Sequence, residues 1–198
     1  MQIVIAVKDQ ATEPLKRLHG SLAPSKRAGL MAVLGRTGEK VYRAHFRKRE
    51  MTTPNKMGWP RQHFWARIAK ATAYDASKTT ADQAVVAISD PALAAKIDGA
   101  TIRPKAGRRM LAIPMRAEAY GIMPSSGQIP GLFLLGGKNG GALYLGKRDG
   151  GKFNNLALYY RLVPKVVVPA DPNALPRVAD VSAELLQTAV SYINRNLS

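Results

Sequence analysis

Residues 25–50 read SKRAGLMAVLGRTGEKVYRAHFRKRE, and they carry the strongest structural pattern in the chain. Positions suited to burial recur there every three or four residues, which places them on one helix face; they are Leu30, Leu34, Thr37 and Val41. Pro24 precedes the stretch, and proline is tolerated in a first helical turn because the N–H that it lacks would be unpaired there. The pattern predicts one long amphipathic helix of about 39 Å.

A second face of this helix is basic. Four bases follow the helical spacing and two more extend the row, and we call these six residues the basic ridge: Arg36, Lys40, Arg43, Arg47, Lys48 and Arg49. Only two acidic residues, Glu39 and Glu50, lie close enough in sequence to offset them. Such a row of positive charge favours contact with a polyanion such as DNA, or with an acidic protein surface. The alternative is a solvated helix face without a partner.

The composition indicates the same kind of partner. The 198-residue chain has a net charge of +17, and residues 1–70 hold fifteen of its 30 Lys and Arg but four of its 13 Asp and Glu. Such an excess points to nucleic acid, an acidic protein or anionic lipid. The absence of cysteine excludes disulfides and thiol chemistry. No apolar run approaches the roughly 20 residues that span a bilayer, so we expect a soluble basic protein without a membrane partner.

The rest of the sequence predicts helices, then hairpin-connected strands, then a last helix. The predicted strands cover residues 3–7, 83–89, 100–103, 109–115, 131–135, 142–145 and 156–168, and the shorter helices cover residues 12–19, 64–74, 92–97 and 181–196. A turn at Pro104 and Gly107 joins two of the strands, and Asp180 suits the N-cap of the last helix. This order predicts an α+β fold, with an antiparallel β-sheet and hairpins packed against the long amphipathic helix, plus a C-terminal helix, in one domain over residues 1–198.

The sequence has no pattern typical of a catalytic or metal site. Residues 141–147 match the GxxxxGK opening of a phosphate-binding loop, but Arg148 stands where that loop needs Ser or Thr. His19, His45 and His63 lack the spacing of metal ligands, the acidic residues are scattered, and no serine lies in a GxSxG motif. We therefore predict no enzymatic activity, no cofactor and no metal.

Aromatic and basic residues are interleaved between Trp59 and Arg67. This arrangement can stack on single-stranded bases, but large aromatic side chains more commonly fill cores. The favoured interpretation is that Trp59 and Trp65 anchor the loop and the following helix within the fold.

Four segments together resemble a known family. They are NKMGWPRQHFW (55–65), IRPKAGRRMLAIPMRAEAYG (102–121), GLFLLGGKNGGALYLGKRDGG (131–151) and YYRLVPKVVVPADPNALP (159–176). The pattern is similar to that of the virion-morphogenesis and tail-completion proteins of long-tailed bacteriophages, Mu-like siphophages among them. In that family a G-x-I-x-P-K … L-x-I-P hairpin precedes an L-V-x-x-V-x-x-P strand and a terminal helix. The corresponding residues here are Gly99, Ile102, Pro104, Lys105, Leu111, Ile113, Pro114, Leu162, Val163, Val166 and Pro169, with two residues rather than one between Gly99 and Ile102.

The resemblance implies a structural protein of the virion neck or tail, made in the host cytoplasm, with no cofactor and no turnover. It implies a homo-oligomeric ring of sixfold or twelvefold symmetry, placed between the head connector or stopper and the tail terminator or tail tube. The lumen of such a ring would pass the phage DNA, and the basic ridge would face that DNA or an acidic partner ring. The alternative is a stand-alone basic nucleic-acid-binding protein.

Protruding segments are the predicted contacts between copies. They are the loop 119–130, the hairpin 131–146 and the arm 169–179, since hairpins and extended arms can add strands to a neighbour. The residues predicted to contact neighbouring subunits are Met123, Ile129, Leu135, Lys138, Asn139, Val168 and Pro172. We expect the loop 119–130 to become ordered against a neighbouring subunit or tail protein.

Overall fold

The computed structural model describes residues 23–54, 57–136, 141–148 and 156–197, together with Glu13, Lys16, His19 and Gly20. Its elements are a long helix, antiparallel strands and a C-terminal helix, which confirms the predicted α+β fold. The strand predicted at residues 3–7 lies outside the described residues, as does most of the helix predicted at residues 12–19.

The described elements follow the order two helices, two strands, a short helix, six strands and a last helix. The helices are α1 (Pro24–Thr52), α2 (Phe64–Lys70), α3 (Ala94–Ile97) and α4 (Val178–Leu197). The strands are β1 (Thr72–Asp75), β2 (Val85–Ile88), β3 (Ala100–Ile102), β4 (Leu111–Pro114), β5 (Phe133–Leu135), β6 (Leu143–Arg148), β7 (Leu156–Val163) and β8 (Val166–Val168). Short 3-10 helices lie at Ala76–Lys78, Pro91–Leu93, Ala117–Ala119 and Pro124–Ser126.

The internal contacts of the chain group it into two compact units. Unit 1 comprises Met1–Met51, Trp65–Asp90 and Leu175–Ser198, and unit 2 comprises Thr52–Phe64 and Pro91–Ala174. Unit 1 holds most of α1 and the β1–β2 hairpin, whereas unit 2 holds the four-stranded sheet. The organisation as a single domain stays a prediction.

The predicted long helix is confirmed as α1, which begins at Pro24. Its buried face agrees with the predicted face only in part. Leu30 is buried, but Leu34, Thr37 and Val41 are half-buried. The closest packing on α1 therefore involves other positions than the apolar spacing predicts.

Two glycines of α1 bring the β1–β2 hairpin close to the helix. Gly35 and Gly38 are both buried. The ring of Tyr74 occupies the space that a Cβ on Gly35 would need, and a Cβ on Gly38 would lie 3.2 Å from Val86 Cγ2. The hairpin therefore packs on a glycine face of α1, where a larger residue would displace it.

The helix predicted over residues 64–74 is wrong beyond Lys70. There α2 ends, and the next residues form β1, which pairs antiparallel with β2. The Thr72 hydroxyl donates a 2.9 Å hydrogen bond to the Ile68 carbonyl and so satisfies an acceptor of the last helical turn. Pairing with β2 then stabilises the extended conformation of β1, because strand formation depends on the neighbouring strand more than on local spacing.

Aromatic side chains pack within both units. In unit 1, Phe46 of α1 and Trp65 of α2 are buried and stack with ring centroids 6.0 Å apart. In unit 2, Trp59 is half-buried and its ring centroid lies 5.3 Å from that of Tyr120. These contacts confirm the interpretation that both tryptophans pack within the fold.

The strands of unit 2 pair differently from the sequence prediction. Four antiparallel strands form a sheet in the order β4-β7-β6-β5, and β3 pairs with β8 in a separate two-stranded sheet. The predicted hairpin between residues 100–103 and 109–115 is therefore wrong. Pro164 lacks the N–H that a continuous ladder needs, so the apolar run 156–168 divides into β7 and β8, which pair with β4 and β3 respectively.

The predicted C-terminal helix is confirmed as α4, although it begins at Val178 rather than at residue 181. Asp180 therefore lies within the first turn and is not the N-cap. Its carboxylate accepts two hydrogen bonds from the Arg177 guanidinium, at 2.9 and 3.0 Å, and this pairing lowers the pKa of Asp180. In the part of the chain that the structure describes, no helix is long and apolar enough to cross a bilayer.

Candidate polyanion-binding site

Four residues of the basic ridge share one face of α1. Arg36, Lys40, Arg43 and Arg47 line an open groove of about 280 Å³, together with Glu39. The helix brings them together because residues three, four and seven apart point in nearly the same direction. The clustering predicted from the spacing is therefore present in the structure. The ability of each base to bind an anion depends on its exposure and on its ion pairs.

Three of these bases are exposed. Arg36, Lys40 and Arg47 all extend into solvent. Among the described residues, no carboxylate lies within salt-bridge distance of any of them. Their span of eleven residues corresponds to about 17 Å along the helix axis. These three side chains form an unneutralised row that fits an extended anion.

Arg43 has a structural role in addition to its place in the ridge. Its Nη1 lies 2.7 Å from Glu39 Oε1, and its Nε donates a 2.9 Å hydrogen bond to the Thr72 carbonyl. Glu39 Oε2 in turn accepts a 3.0 Å hydrogen bond from the Tyr74 N–H. The pair therefore bonds to two backbone groups of β1, and part of the charge of Arg43 is neutralised by Glu39.

The register of the hairpin explains why β1 needs these partners. The Ser89 N–H donates to the Ala71 carbonyl at 3.1 Å, so alternate residues from Ala71 onward bond to β2. Thr72 and Tyr74 consequently turn their backbone groups away from β2. Glu39 and Arg43 satisfy this outer edge of the strand, as a third strand would. Sequence spacing alone suggests only a surface ion pair between the two side chains.

The two remaining ridge residues lie off this face. Lys48 is exposed, but it follows Arg47 by one residue and so points about 100° away around the helix. The Arg49 guanidinium carbon lies 4.5 Å from the centroid of the Trp65 ring, a cation–π contact that holds it against the core. Glu50 also has a structural role, since its Oε2 accepts a 3.1 Å hydrogen bond from the Ala66 N–H in α2.

The residues predicted to contact neighbouring subunits lie on separate segments of unit 2. Met123 is 61 % exposed, Pro172 is exposed, and Ile129, Leu135 and Val168 are half-buried. Lys138 and Asn139 lie outside the described residues. Their role as contacts between copies stays a prediction.

Two of the three predicted inter-subunit segments, the loop and the arm, have contacts within their own chain. In the loop 119–130, Ala119 is fully buried, and the Ile122 carbonyl accepts a 3.0 Å hydrogen bond from the Tyr160 hydroxyl. In the arm 169–179, the Asp171 N–H donates to the Lys96 carbonyl at 2.8 Å, and Ala174 is buried. The loop therefore has an anchor in unit 2 that is independent of any neighbour.

Replacing Tyr160 by phenylalanine tests this anchor. Tyr160 is 1 % exposed, and burial raises the pKa of its hydroxyl, so the group is protonated and donates at neutral pH. We expect Tyr160→Phe to lower the free energy of unfolding by about 1–2 kcal/mol, because the Ile122 carbonyl loses its partner. Limited proteolysis of the purified protein should cut within residues 123–129 faster in the variant.

The matched control is Tyr159→Phe. The half-buried ring of Tyr159 lies under the Arg116 guanidinium, and the cleavage pattern of this variant should equal that of the parent. Equal cleavage of the Tyr160→Phe variant and the parent would show that the hydroxyl does not hold the loop. Protection of residues 123–129 in the isolated parent protein would contradict the prediction that the loop needs a neighbour to become ordered.

The described residues contain no group of three His, Asp or Glu side chains placed to hold a metal ion. The features that sequence reasoning missed are the edge contacts of Glu39 and Arg43 and the glycine face beneath Tyr74. The only sequence signal for them is the spacing of Gly35, Gly38 and Glu39 along one side of α1. Comparison of the chain with protein-family models, with curated proteins and with solved structures found no match.

Proposed function

We propose that this chain is a structural component of the neck or tail of a long-tailed phage virion. In this proposal it assembles as a ring between the head connector and the tail tube, and its copies contact one another and the adjoining collar proteins. The resemblance of four of its sequence segments to virion-morphogenesis and tail-completion proteins is one support. The distribution of apolar side chains is the other.

The observation that carries the proposal is the large amount of exposed apolar surface. Among the described residues, twelve large apolar side chains are at least 37 % exposed, whereas ten apolar residues are buried. They occur in both units, for example Leu186 of α4 at 67 % and Leu134 of β5 at 62 %. Exposed apolar side chains in this proportion fit a chain that completes its burial against other subunits.

The exposed bases of α1 also fit this role. A ring through which DNA passes needs positive charge at its lumen, and a ring stacked on an acidic collar needs positive charge at its face. Arg36, Lys40 and Arg47 would supply either, since no described carboxylate neutralises them. The proposal does not require sequence readout, because phosphate contacts carry no sequence information.

Disruption of the gene for this chain, in the phage that carries it, tests the virion role. We expect lysates to contain filled heads and separate tails by electron microscopy, and purified parental virions to contain the protein. Re-expression of the chain from a plasmid should restore joined particles, which controls for effects on neighbouring genes. Joined, infectious virions that lack the chain would overturn the proposal.

The second candidate is a stand-alone nucleic-acid-binding protein, which the exposed row on α1 favours. The two candidates differ in solution behaviour. A dedicated binder should bind DNA tightly, with an affinity that falls steeply as salt rises. A neck protein should instead sediment as a monomer or a closed ring and bind DNA weakly at physiological salt.

A further inference from the structure

A groove of about 540 Å³ lies on one face of the four-stranded sheet in unit 2. Ala112, Leu145 and Leu162 line it. Ala112 lies directly opposite Leu162, so the two side chains share a face of the sheet. Leu145 lies opposite Tyr160, which precedes Leu162 by two residues on β7, so Leu145 is on the same face. The rest of the lining comes from residues 102–105 and 122–125 and from Arg108, Met110 and Leu111. We call this space the unit-2 groove. Its volume is in the range of sites that bind a ligand or an anchoring side chain.

Positive charge surrounds the apolar part of the unit-2 groove. Arg103, Lys105 and Arg108 all contribute to its lining and are exposed. No acidic residue is found among the described residues that line the groove, and no described carboxylate pairs with these three bases. An occupant that complements the groove must therefore combine apolar groups with negative charge.

The groove also contains an open strand edge. β4 is an edge strand of its sheet, and the Met115 N–H donates to the Tyr159 carbonyl at 2.8 Å. Alternate residues from Met115 backward bond to β7, so the N–H and C=O of Ala112 point away from β7. No described group bonds to them. Pro114 has no N–H to offer, so added pairing would be centred on Ala112.

These three properties select one class of occupant. An extended peptide pairs with a strand edge through its backbone and places alternate side chains in pockets. A nucleic acid strand would contact the bases, but the described lining residues include no aromatic ring on which a nucleobase could stack. A short acidic peptide with apolar anchors uses the floor, the charge and the edge together.

We propose that the unit-2 groove binds an extended acidic segment of a partner protein. Apolar side chains of that segment lie on Leu145 and Leu162, its carboxylates pair with Arg103, Lys105 and Arg108, and its backbone bonds to Ala112. The groove belongs to unit 2 and the basic ridge to unit 1, so this binding is independent of the virion role and of DNA contact by α1.

The test is fluorescence anisotropy with the full-length protein at physiological salt. The probe is a short fluorescein-labelled peptide in which valine alternates with glutamate. We expect saturable binding that Arg103→Glu/Arg108→Glu weakens by about tenfold or more, because two carboxylate partners become repulsive. Ala112→Pro should also weaken binding, since it removes an edge N–H without removing a bond to β7.

Two controls separate groove binding from diffuse attraction to a protein of net charge +17. Arg109→Glu changes the charge of an exposed neighbour that does not line the groove, and it should alter the affinity by about twofold at most. A peptide of alternating serine and glutamate should bind at least about tenfold more weakly, because it lacks apolar anchors.

Several results would overturn the proposal. They are no saturable binding of the valine–glutamate peptide, equal losses from Arg109→Glu and from the groove variants, or equal binding of the serine–glutamate peptide. In a competition assay, a single-stranded oligonucleotide or anionic phosphatidylglycerol vesicles could displace the peptide from the parent protein and fail to bind the groove variants. That result would assign the groove to nucleic acid or lipid. Circular dichroism of each variant confirms that a loss does not come from unfolding.

Discussion

Replacing Gly35 by leucine should lower the melting temperature of the protein by roughly 6–12 °C. A Cβ at this position would overlap the Tyr74 ring and lie 3.3 Å from the Cβ of Ala84. The backbone of β1 is fixed by its pairing with β2 and by the bond from the Tyr74 N–H to Glu39. The leucine side chain must therefore displace the Tyr74 ring or break these backbone bonds, at a cost of about 3 kcal/mol.

The smaller replacement Gly35→Ala separates packing from helix propensity. Alanine stabilises a helix interior by about 1 kcal/mol relative to glycine, so a net loss of stability in this variant must come from the contact with Tyr74. The control is Ala44→Leu, at an exposed position of the same helix, which should change stability by about 0.5 kcal/mol at most. Thermal unfolding followed by circular dichroism measures all three variants. A Gly35→Leu protein that melts with the parent would contradict the glycine-face packing.

The glycine face shows why the apolar pattern predicted α1 but not its contacts. The helix follows from spacing over many turns, and Pro24 marks its start. Hydrophobic periodicity, however, counts Leu34 and Val41 as buried and gives no weight to Gly35 and Gly38. A glycine contributes no apolar side chain of its own, and its burial depends on the side chain of another element.

The errors in strand prediction have a related cause. Residues 64–74 have helical spacing throughout, and only the pairing with β2 makes Thr72–Asp75 a strand. Pro104 and Gly107 correctly indicate a change of direction, but turn residues do not specify which strands pair. The pairing of β3 with β8 joins residues far apart in sequence, and this information is absent from any local window.

The candidate site was predictable as a charge pattern and not as a set of free groups. The row of bases is visible in the sequence because helical spacing is regular. That Arg43 bonds to the Thr72 carbonyl is not visible, since the two residues are 29 positions apart. The unit-2 groove is similarly assembled from β4, β6, β7 and two flanking segments, so no single stretch carries its signal.

Neutralising the exposed row on α1 should remove most of the salt-dependent DNA affinity of the protein. In Arg36→Gln/Lys40→Gln/Arg47→Gln, we expect the slope of log affinity against log salt to fall by about three, one for each lost phosphate contact. The loss should be similar for duplexes of different sequence, because phosphate contacts position a protein without reading bases. Arg43 is left unchanged, since its substitution would also break the contacts with Glu39 and β1.

The matched control for this variant is Arg109→Gln/Arg161→Gln/Lys165→Gln, which removes the same charge from exposed positions in unit 2. Anisotropy titrations of a labelled duplex at several salt concentrations measure both proteins. The control should reduce the slope by less than about one, because diffuse charges at a distance are screened. Equal reductions in the two variants would mean that DNA is attracted by net charge alone, and the exposed row would then not be a binding site.

A normal yield of joined, DNA-ejecting virions from phage carrying the α1 variant would exclude both the DNA passage and an acidic partner ring as the surface that these three bases contact.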